Sequence, residues 1–411
     1  MPYIHLVRVL CVLMLPFAAW AQQQTPDTGV TRSATLAIPA SPIATRAQLD
    51  VYIRDTPPAQ SPLNWLTPAA RRRFVDSLVF GENGLGGMDL GELRYELTRE
   101  QAYALLRLFG TESYALDLDA RASPRITDDD SAASVLEPRY ETLVAAAADG
   151  DFASQAKAVA AVYTEDFAPL QNKPRRSALN SRDVELLFRA AVLAFRLTSQ
   201  PAYLMDMRAD FGELAHRHRI ERPHASDLHD ALMLAHRNDE ARALLAAYPL
   251  LQRSPAPLMR SPQRIRNGQS SLWIATPGTR IRELVRLRFN IRAPAQVIVL
   301  ASTSCHFSAN AARSIEANPL LRDLFREYAQ WVAPADEITA FDAVQAWNSA
   351  HPALRLGIAY DDAALPMVER FETPTFYFLD HGTVVDTVVG WPAEGNLDAI
   401  RRGLRNIHLM R

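Results

Sequence analysis

The chain has 411 residues, of which 48% are hydrophobic and 22% are charged, and its formal net charge at pH 7 is −2. This length allows two or three domains with cores of their own, at roughly 100–200 residues per domain. The balanced charge argues against a nucleic-acid partner, because phosphate backbones are bound through a surplus of Lys and Arg.

Residues 1–21 have the pattern of a secretory signal peptide. Arg8 precedes a short apolar run, and small residues around Ala21 form a cleavage-site pattern. Neither this run nor any later stretch reaches the roughly 18 apolar residues that a membrane helix needs. We therefore expect an exported, periplasmic protein without a membrane span. Removal of the signal peptide, which contains Cys11, would leave Cys305 as the one thiol, so no internal disulfide is expected.

Residues 22–62 are rich in Gln, Thr, Ser, Ala and Pro, a composition typical of a flexible linker. One short helix is expected within it, near Ala47 to Arg54. Residues 63–253 are predicted to form a helical domain, because apolar residues recur at helical spacing and short polar breaks separate them. The pattern indicates a series of helical hairpins.

These hairpins resemble the units of tetratricopeptide-like solenoids, although the fixed Trp, Gly, Tyr and Pro positions of that family cannot be found in this sequence. Only the solenoid character is therefore expected. A solenoid of helices offers a concave surface, which would hold a client or partner protein.

Two further patterns in this domain suggest other kinds of site but lack the residues that those sites need. The glycine cluster at 84–87 is not followed by Gly-Lys-Ser/Thr, as a phosphate loop would be, and no predicted strand precedes it. Five histidines have no Glu-x-x-His or cysteine partner, so we interpret them as solvated helix surface and expect no metal and no other cofactor. These histidines are His216, His218, His224, His229 and His236.

A second boundary lies at residues 254–270, which are rich in Pro, Ser and Arg and are interpreted as a linker. The following domain, residues 271–411, alternates strand and helix patterns, so the whole chain is predicted to be α plus α/β. Helices are predicted directly after Cys305 and from Asn396 to Ile407. The predicted strands are Leu272–Ala275, Glu283–Phe289, Val297–Leu300, Arg355–Tyr360, Thr375–Leu379 and Val384–Val389.

Cys305 is the residue whose position most favours chemistry. It ends an apolar strand and begins a helix, where unpaired N–H groups and the helix dipole favour the thiolate, which is the nucleophilic form. The alternative is that Cys305 is a small buried apolar residue, as free cysteines often are.

The order of elements and two later segments resemble the thioredoxin-like fold. These segments are residues 372–378, which contain Thr373 and Pro374 in a Thr-Pro-Thr sequence, and residues 381–391. The resemblance covers about residues 292–409, with an N-terminal extension. It implies a three-layer α/β/α domain, a cis bond before Pro374 beside the redox cysteine, and a hairpin that joins the last two strands. Thr373 and Pro374 would then bind the substrate.

Three departures from the thioredoxin-like pattern limit what the resemblance implies. The second, resolving cysteine of that family is replaced by Ser308, in the Cys-His-Phe-Ser sequence that begins at Cys305. The buried acid six residues before the first cysteine is replaced by Val299, and a helix-like insertion occurs near residues 340–350. Ser308 could still hydrogen-bond the thiolate. Protonated His306 could lower the pKa of the thiol, although an exposed His306 without a role fits equally.

Two functions follow as hypotheses. The first is thiol–disulfide exchange, as an oxidoreductase or isomerase, in which Cys305 forms a mixed disulfide with a client that persists until an external thiol arrives. The second is a non-catalytic module that holds a partner protein by its helices and by the groove beside Pro374. Peroxide reduction is disfavoured, since the residues before Cys305 lack the Pro-x-x-x-Thr-x-x-Cys pattern of peroxiredoxins.

Overall fold

A computed structural model of the chain describes residues 35–81, 84–125, 134–148, 150–251, 254–266, 269–275, 282–360, 365, 367–368, 372–392 and 394–411. The predicted signal peptide and the first part of the predicted linker lie outside these residues. The described chain has a helical N-terminal part followed by a mixed, eight-stranded sheet with helices, which confirms the predicted α plus α/β class. None of the described helices has the length and apolar content needed to cross a membrane.

The first helices form a small cluster with an apolar core of its own. Thr45 begins the first of them in a capping box, since its side chain accepts a hydrogen bond from the backbone N–H of Gln48. Ile43 and Leu49 are buried in this core, so the second half of the predicted flexible linker is packed. The elements are α1 (Arg46–Asp55), α2 (Pro68–Ser77), β1 (Val79–Gly81), β2 (Gly84–Gly87), α3 (Leu90–Glu96) and α4 (Arg99–Leu106).

The next α-helices form a bundle. They are α5 (Glu137–Ala148), α6 (Phe152–Asp166), α7 (Lys173–Ala178), α8 (Ser181–Thr198), α9 (Pro201–His216), α10 (Arg222–Leu234) and α11 (Asn238–Ala247). Successive antiparallel pairs are α5 with α6, α8 with α9 and α10 with α11, and α8 contacts its own partner α9 and the adjacent helices α5, α6 and α10. In a solenoid each unit likewise contacts only its neighbours, and the solenoid character itself stays a prediction.

Two local expectations for the helical part are corrected. His224 and His229 are not solvated, since α10 packs against α8 and α9 and leaves these side chains 1% and 3% exposed. Burial lowers the pKa of His224 to about 4. The glycine cluster forms β2, the second strand of a hairpin, so a strand, β1, does precede it.

The sheet begins within the predicted linker at 254–270, because a short strand there pairs with residues 283–285, near the start of the next domain. Its strands are β3 (Leu258–Arg260), β4 (Ser271–Ala275), β5 (Glu283–Arg288), β6 (Ala295–Leu300), β7 (Ala329–Ala333), β8 (Leu356–Ala359), β9 (Thr375–Asp380) and β10 (Thr383–Val389). Their order across the sheet is β10-β9-β6-β7-β8-β4-β5-β3. The helices of this part are α12 (His306–Glu316), α13 (Pro319–Tyr328), α14 (Phe341–Ala350) and α15 (Leu397–Asn406).

The centre of the sheet determines which loops meet. β6 is buried along Val297–Leu300, as is typical of a central strand that is covered on both faces. β6 and β7 are parallel neighbours, so their carboxyl ends lie at the same edge of the sheet. The chain after Leu300 and the chain after Ala333 therefore come together at that edge.

Two other predicted features are confirmed. The helix predicted near residues 340–350 is α14, and its buried Trp347 donates a hydrogen bond from Nε1 to the carbonyl oxygen of Leu354 at 3.1 Å. β9 and β10 form an antiparallel hairpin with Gly382 in its turn. Gly382 has a φ of +85°, a conformation that glycine adopts without strain.

The helical bundle and the sheet share one apolar core. Its buried residues come from both parts, for example Met233 of α10 and Trp273 of β4. At the junction the ring of His236 stacks on that of Tyr360, with ring centroids 4.3 Å apart. α10 also contacts the short 3-10 helix Ala335–Ala340, which follows β7 at the sheet edge described above.

Candidate active site

Cys305 is the N-cap residue of α12, where the sequence places it. Its backbone is extended, with φ −89° and ψ 110°, and its carbonyl oxygen accepts a hydrogen bond from the N–H of Ala309 at 3.2 Å. The side chain is partly exposed, which disfavours the alternative of a fully buried apolar residue. The thiol thus lies at the carboxyl edge of β6, at the start of a helix.

The surroundings of Cys305 favour its thiolate. Partial burial raises the pKa of the thiol, but hydrogen bonds from the side chains of Thr373 and Ser308 and from the backbone N–H groups of Ser308 and Phe307 outweigh that effect. The net pKa of Cys305 is therefore below its usual value. In the protonated form the thiol donates to the carbonyl oxygen of Thr373, with Sγ at 3.2 Å.

Ser308 occupies the position predicted for the missing resolving cysteine. Its side chain is completely buried in the first turn of α12, and its Oγ accepts a hydrogen bond from the backbone N–H of Ser302 at 3.4 Å. The same hydroxyl hydrogen-bonds the Cys305 thiol. Ser308 therefore lies beside Cys305 and joins it to the loop that precedes the helix.

Thr373 and Pro374 also lie against the thiol. The bond between them is cis, as the resemblance to the thioredoxin-like fold implies. Pro374 is buried, and its carbonyl oxygen accepts a hydrogen bond from the N–H of Gly390 at 2.8 Å. The segment before β9 is thereby fixed to the end of β10.

His306 differs from the other predicted site residues. It is exposed, and its ring lies on that of Phe307, with the two centroids 3.8 Å apart. Phe307 is itself 43% exposed. The structure thus brings Cys305, Ser308, Thr373 and Pro374 together, and it places His306 in an aromatic pair on the surface beside them.

Glu337 is a site residue that the sequence analysis misses. It is 7% exposed and lies on the 3-10 helix after β7. One carboxylate oxygen accepts from the Ser302 hydroxyl at 2.6 Å and from the Thr303 N–H at 3.0 Å, and the other accepts from the Thr303 hydroxyl at 2.6 Å. Glu337 therefore holds the loop that leads into Cys305.

A charged side chain of the helical bundle also affects the residues at this edge of the sheet. Burial raises the pKa of Asp336, the neighbour of Glu337, and the negative charge of Glu337 raises it further. The guanidinium of Arg196, at the end of α8, lowers the pKa of Asp336. The bundle thus acts on this segment by charge as well as by the contact of α10.

The signal that could have identified Glu337 is the position of β7. An acidic pair, Asp336-Glu337, follows this strand, and the polar run at 302–304 follows β6. Residues that follow adjacent parallel strands meet at one edge of the sheet. Because the sequence pattern does not predict β7, it gives no reason to bring Glu337 to Cys305.

Comparisons of the chain with protein-family models, with curated proteins and with solved structures each find no match. Within the part of the chain that the structure describes, no three His, Cys, Asp or Glu side chains are placed to hold a metal ion. The site presents the partly exposed thiol of Cys305 and the groups that hydrogen-bond it.

Proposed function

We propose that this protein is an exported, thioredoxin-like thiol–disulfide exchange protein that acts through Cys305. The observation that carries the proposal is the lowered pKa of a partly exposed thiol at the start of a helix, beside a cis-proline. Its fold assignment is supported by the β6–α12 junction at Cys305 and by the β9–β10 hairpin that leads to α15.

The reaction needs one nucleophile. The Cys305 thiolate attacks one sulfur of a client disulfide, a new S–S bond forms to Cys305, and the other client sulfur leaves as a thiolate. Ser308 has no sulfur with which to break the mixed disulfide. An external thiolate must therefore attack the client sulfur of the mixed disulfide, which releases the Cys305 thiolate and leaves the client disulfide-bonded to the external thiol.

The alternative is a non-catalytic module that recruits a partner protein. The exposed pair of His306 and Phe307 favours it, because two adjacent rings at the surface can bind a partner without any chemistry. The two functions differ in whether Cys305 is needed for the partner to be held.

The proposal is tested on a chain with Cys11→Ser, in which Cys305 is the sole thiol. The rate of alkylation of the native protein should follow a pKa below the free-thiol value of roughly 8.5. Incubation with glutathione disulfide should give a mixed disulfide, detected by mass, that persists until dithiothreitol is added. Cys305→Ser should give no adduct.

Reaction of the thiol only after denaturation, or a midpoint at or above the free-thiol value, would exclude the exchange function. A partner protein that co-purifies equally with the wild type and with Cys305→Ser would then support the recruiting module.

A further inference from the structure

Arginine is concentrated in the part of the chain that forms the first strands of the sheet. Residues 253–292 contain nine arginines and one acidic residue, Glu283, although the whole chain has a formal net charge of −2. β5 and β3 are the last two strands in the order across the sheet, so this side of the sheet is basic. A surface with one sign of charge attracts ligands of the opposite sign.

Three of these arginines, Arg264, Arg266 and Arg288, form an exposed cluster. Nη2 of Arg288 donates to the carbonyl oxygen of Arg264 at 3.2 Å, and the backbone N–H of Arg288 donates to Oε1 of Gln263 at 3.2 Å. Arg266 lies two residues further along the same segment. None of the three forms an ion pair with a described carboxylate. Their charges are therefore available to a ligand.

Other described arginines of this segment are engaged within the protein. Arg260 lies 3.3 Å from the carboxylate of Glu283, and Arg282 forms an ion pair with Asp342. Arg286 is 7% exposed. The arginine cluster of Arg264, Arg266 and Arg288 is thus distinct from these neighbours, whose charges are paired or buried.

The arginine cluster lies at the same edge of the sheet as Cys305. β4 is antiparallel to both β5 and β8, whereas β6, β7 and β8 are parallel, so the carboxyl ends of β5 and β6 are at one edge. Arg288 is the last residue of β5, and Cys305 follows β6. Four strand spacings of about 4.8 Å separate the two strands, roughly 20 Å in all.

We propose that the arginine cluster binds an acidic segment of the client protein whose disulfide Cys305 attacks, an inference that rests on the proposed exchange function. Carboxylates suit such a cluster, because the planar guanidinium can donate two parallel hydrogen bonds to one carboxylate. A protein segment is favoured over an anionic membrane, since the cluster is small and shares its edge with the thiol. An extended client chain covers about 3.3 Å per residue, so its acidic residues should lie roughly six residues from its cysteine.

The test uses the full chain with Cys11→Ser and synthetic peptides whose one cysteine forms a disulfide with thionitrobenzoate. The Cys305 thiolate attacks the peptide sulfur, a new S–S bond joins the two, and thionitrobenzoate leaves as a coloured thiolate that reports the rate. One peptide has a run of glutamates about six residues from its cysteine, and the matched peptide has glutamines there. The glutamate peptide should react about fivefold faster at low salt. Sodium chloride at about 0.5 M should remove the difference.

Two substitutions and a third peptide locate the effect. Arg264→Gln combined with Arg288→Gln should lower the rate of the glutamate peptide to that of the glutamine peptide, whose own rate should not change. Arg292→Gln is the matched control, because Arg292 is exposed but lies beside the turn at Gly382, at the opposite edge of the sheet. A peptide with its glutamates directly after the cysteine should gain nothing, since they cannot reach the arginine cluster.

Equal rates for the glutamate and glutamine peptides would overturn the proposal. If, in addition, the protein binds vesicles that contain phosphatidylglycerol and the double variant does not, the arginine cluster is a membrane contact. Equal acceleration by the third peptide would reduce the effect to a general attraction of negative charge and would also overturn the proposal.

Failure of the exchange function gives a different result, because then neither peptide releases thionitrobenzoate. In that case the glutamate peptide is alkylated at its cysteine and labelled, and its binding to the protein is measured by fluorescence anisotropy. Binding that the double variant loses would support recognition of an acidic segment without exchange, and no binding would overturn it.

Discussion

In the proposed exchange reaction, Ser308 determines what Cys305 can do after it has attacked a client disulfide. The serine hydroxyl stabilises the thiolate by a hydrogen bond, but it cannot take over the bond to a client sulfur. The pair therefore favours formation of a mixed disulfide and not its release. This behaviour suits a protein that holds a client covalently until a second reductant arrives.

Replacement of Ser308 by Cys should convert trapping into turnover. The new thiol would lie beside Cys305 and could break the mixed disulfide within the molecule, which is faster than attack by an external thiol. Reduction of insulin by dithiothreitol should be accelerated by at least about tenfold relative to the wild type. Ser308→Ala is the control, because it loses the hydroxyl and gains no thiol.

Equal, negligible activity of Ser308→Cys and Ser308→Ala would mean that a protein disulfide cannot reach Cys305. The same result would favour the recruiting module.

Asp210 makes the stability of the fold depend on pH, independently of the thiol. Burial raises the pKa of this carboxyl well above its usual value, and the hydrogen bond from Gln171 Nε2 at 2.9 Å opposes this only in part. The folded chain therefore keeps this proton at a pH where the unfolded chain has lost it. Asp210 thus destabilises the fold as the pH rises above its unfolded pKa of roughly 4.

Asp210→Asn should remove this effect. Relative to the wild type, the variant should gain on the order of 1 kcal/mol in the free energy of unfolding as the pH is raised from 4 to 7. Urea unfolding of both proteins across that range measures the difference. Parallel pH profiles would show instead that the folded protein holds Asp210 ionised, against Arg176 at 3.7 Å.

At the scale of elements, the loop before α12 depends on a neighbouring element for its shape. Glu337→Ala removes the acceptors of Ser302 and Thr303, so we expect the Cys305 pKa to rise toward roughly 8.5. The free energy of unfolding should fall by about 1–3 kcal/mol. The pH dependence of alkylation and urea unfolding measure the two effects.

Glu337→Gln separates position from charge. The amide keeps an oxygen for Ser302 and Thr303 but removes the negative charge near the thiol, so the Cys305 pKa should not rise. Asp336→Asn, on the same 3-10 helix, is the matched control. A downward shift in both Glu337 variants would show that charge, and not the position of the loop, sets the thiol pKa, because loss of a nearby negative charge favours the thiolate.

The sequence predicts most of the helices and strands. It fails where a strand is very short or where a strand follows a helix without a residue that marks the boundary. β6 and β9 are recognisable because their apolar runs end at polar or turn residues. β7 follows α13 directly, since the helix ends at Tyr328 and the strand begins at Ala329. No glycine or proline marks the boundary. β3 is a three-residue strand among prolines, so its composition indicates a linker.

The same distinction applies to the candidate site. Cys305 and Pro374 are recognisable because the sequence around them resembles the thioredoxin-like pattern, and Ser308 because it departs from that pattern at a defined position. The position of Glu337 at the site depends on which strands are neighbours. Pairing across the sheet decides that, and local sequence does not show it. The packing of Leu49 is likewise decided by a core that includes residues far along the chain, such as Leu105.

For the whole molecule, the shared core predicts that the bundle and the sheet unfold together. Trp273, Trp331, Trp347 and Trp391 are buried in the C-terminal part, so tryptophan fluorescence reports mainly on the sheet. Circular dichroism at 222 nm reports mainly on the helices. The two thermal transitions should coincide, as expected of one cooperative unit. Two separate transitions would show that the apolar contacts between the parts are too weak to couple them.

The contact of α10 with the 3-10 helix Ala335–Ala340 bears on how a newly made chain reaches its final state. That helix carries Glu337, whose hydrogen bonds shape the loop before Cys305. Until the bundle has folded, the thiol lacks this support and should behave as an ordinary cysteine, mostly protonated at neutral pH. We therefore expect the thiol to become a ready nucleophile only once both parts have folded, and an immature chain to crosslink less readily to its neighbours.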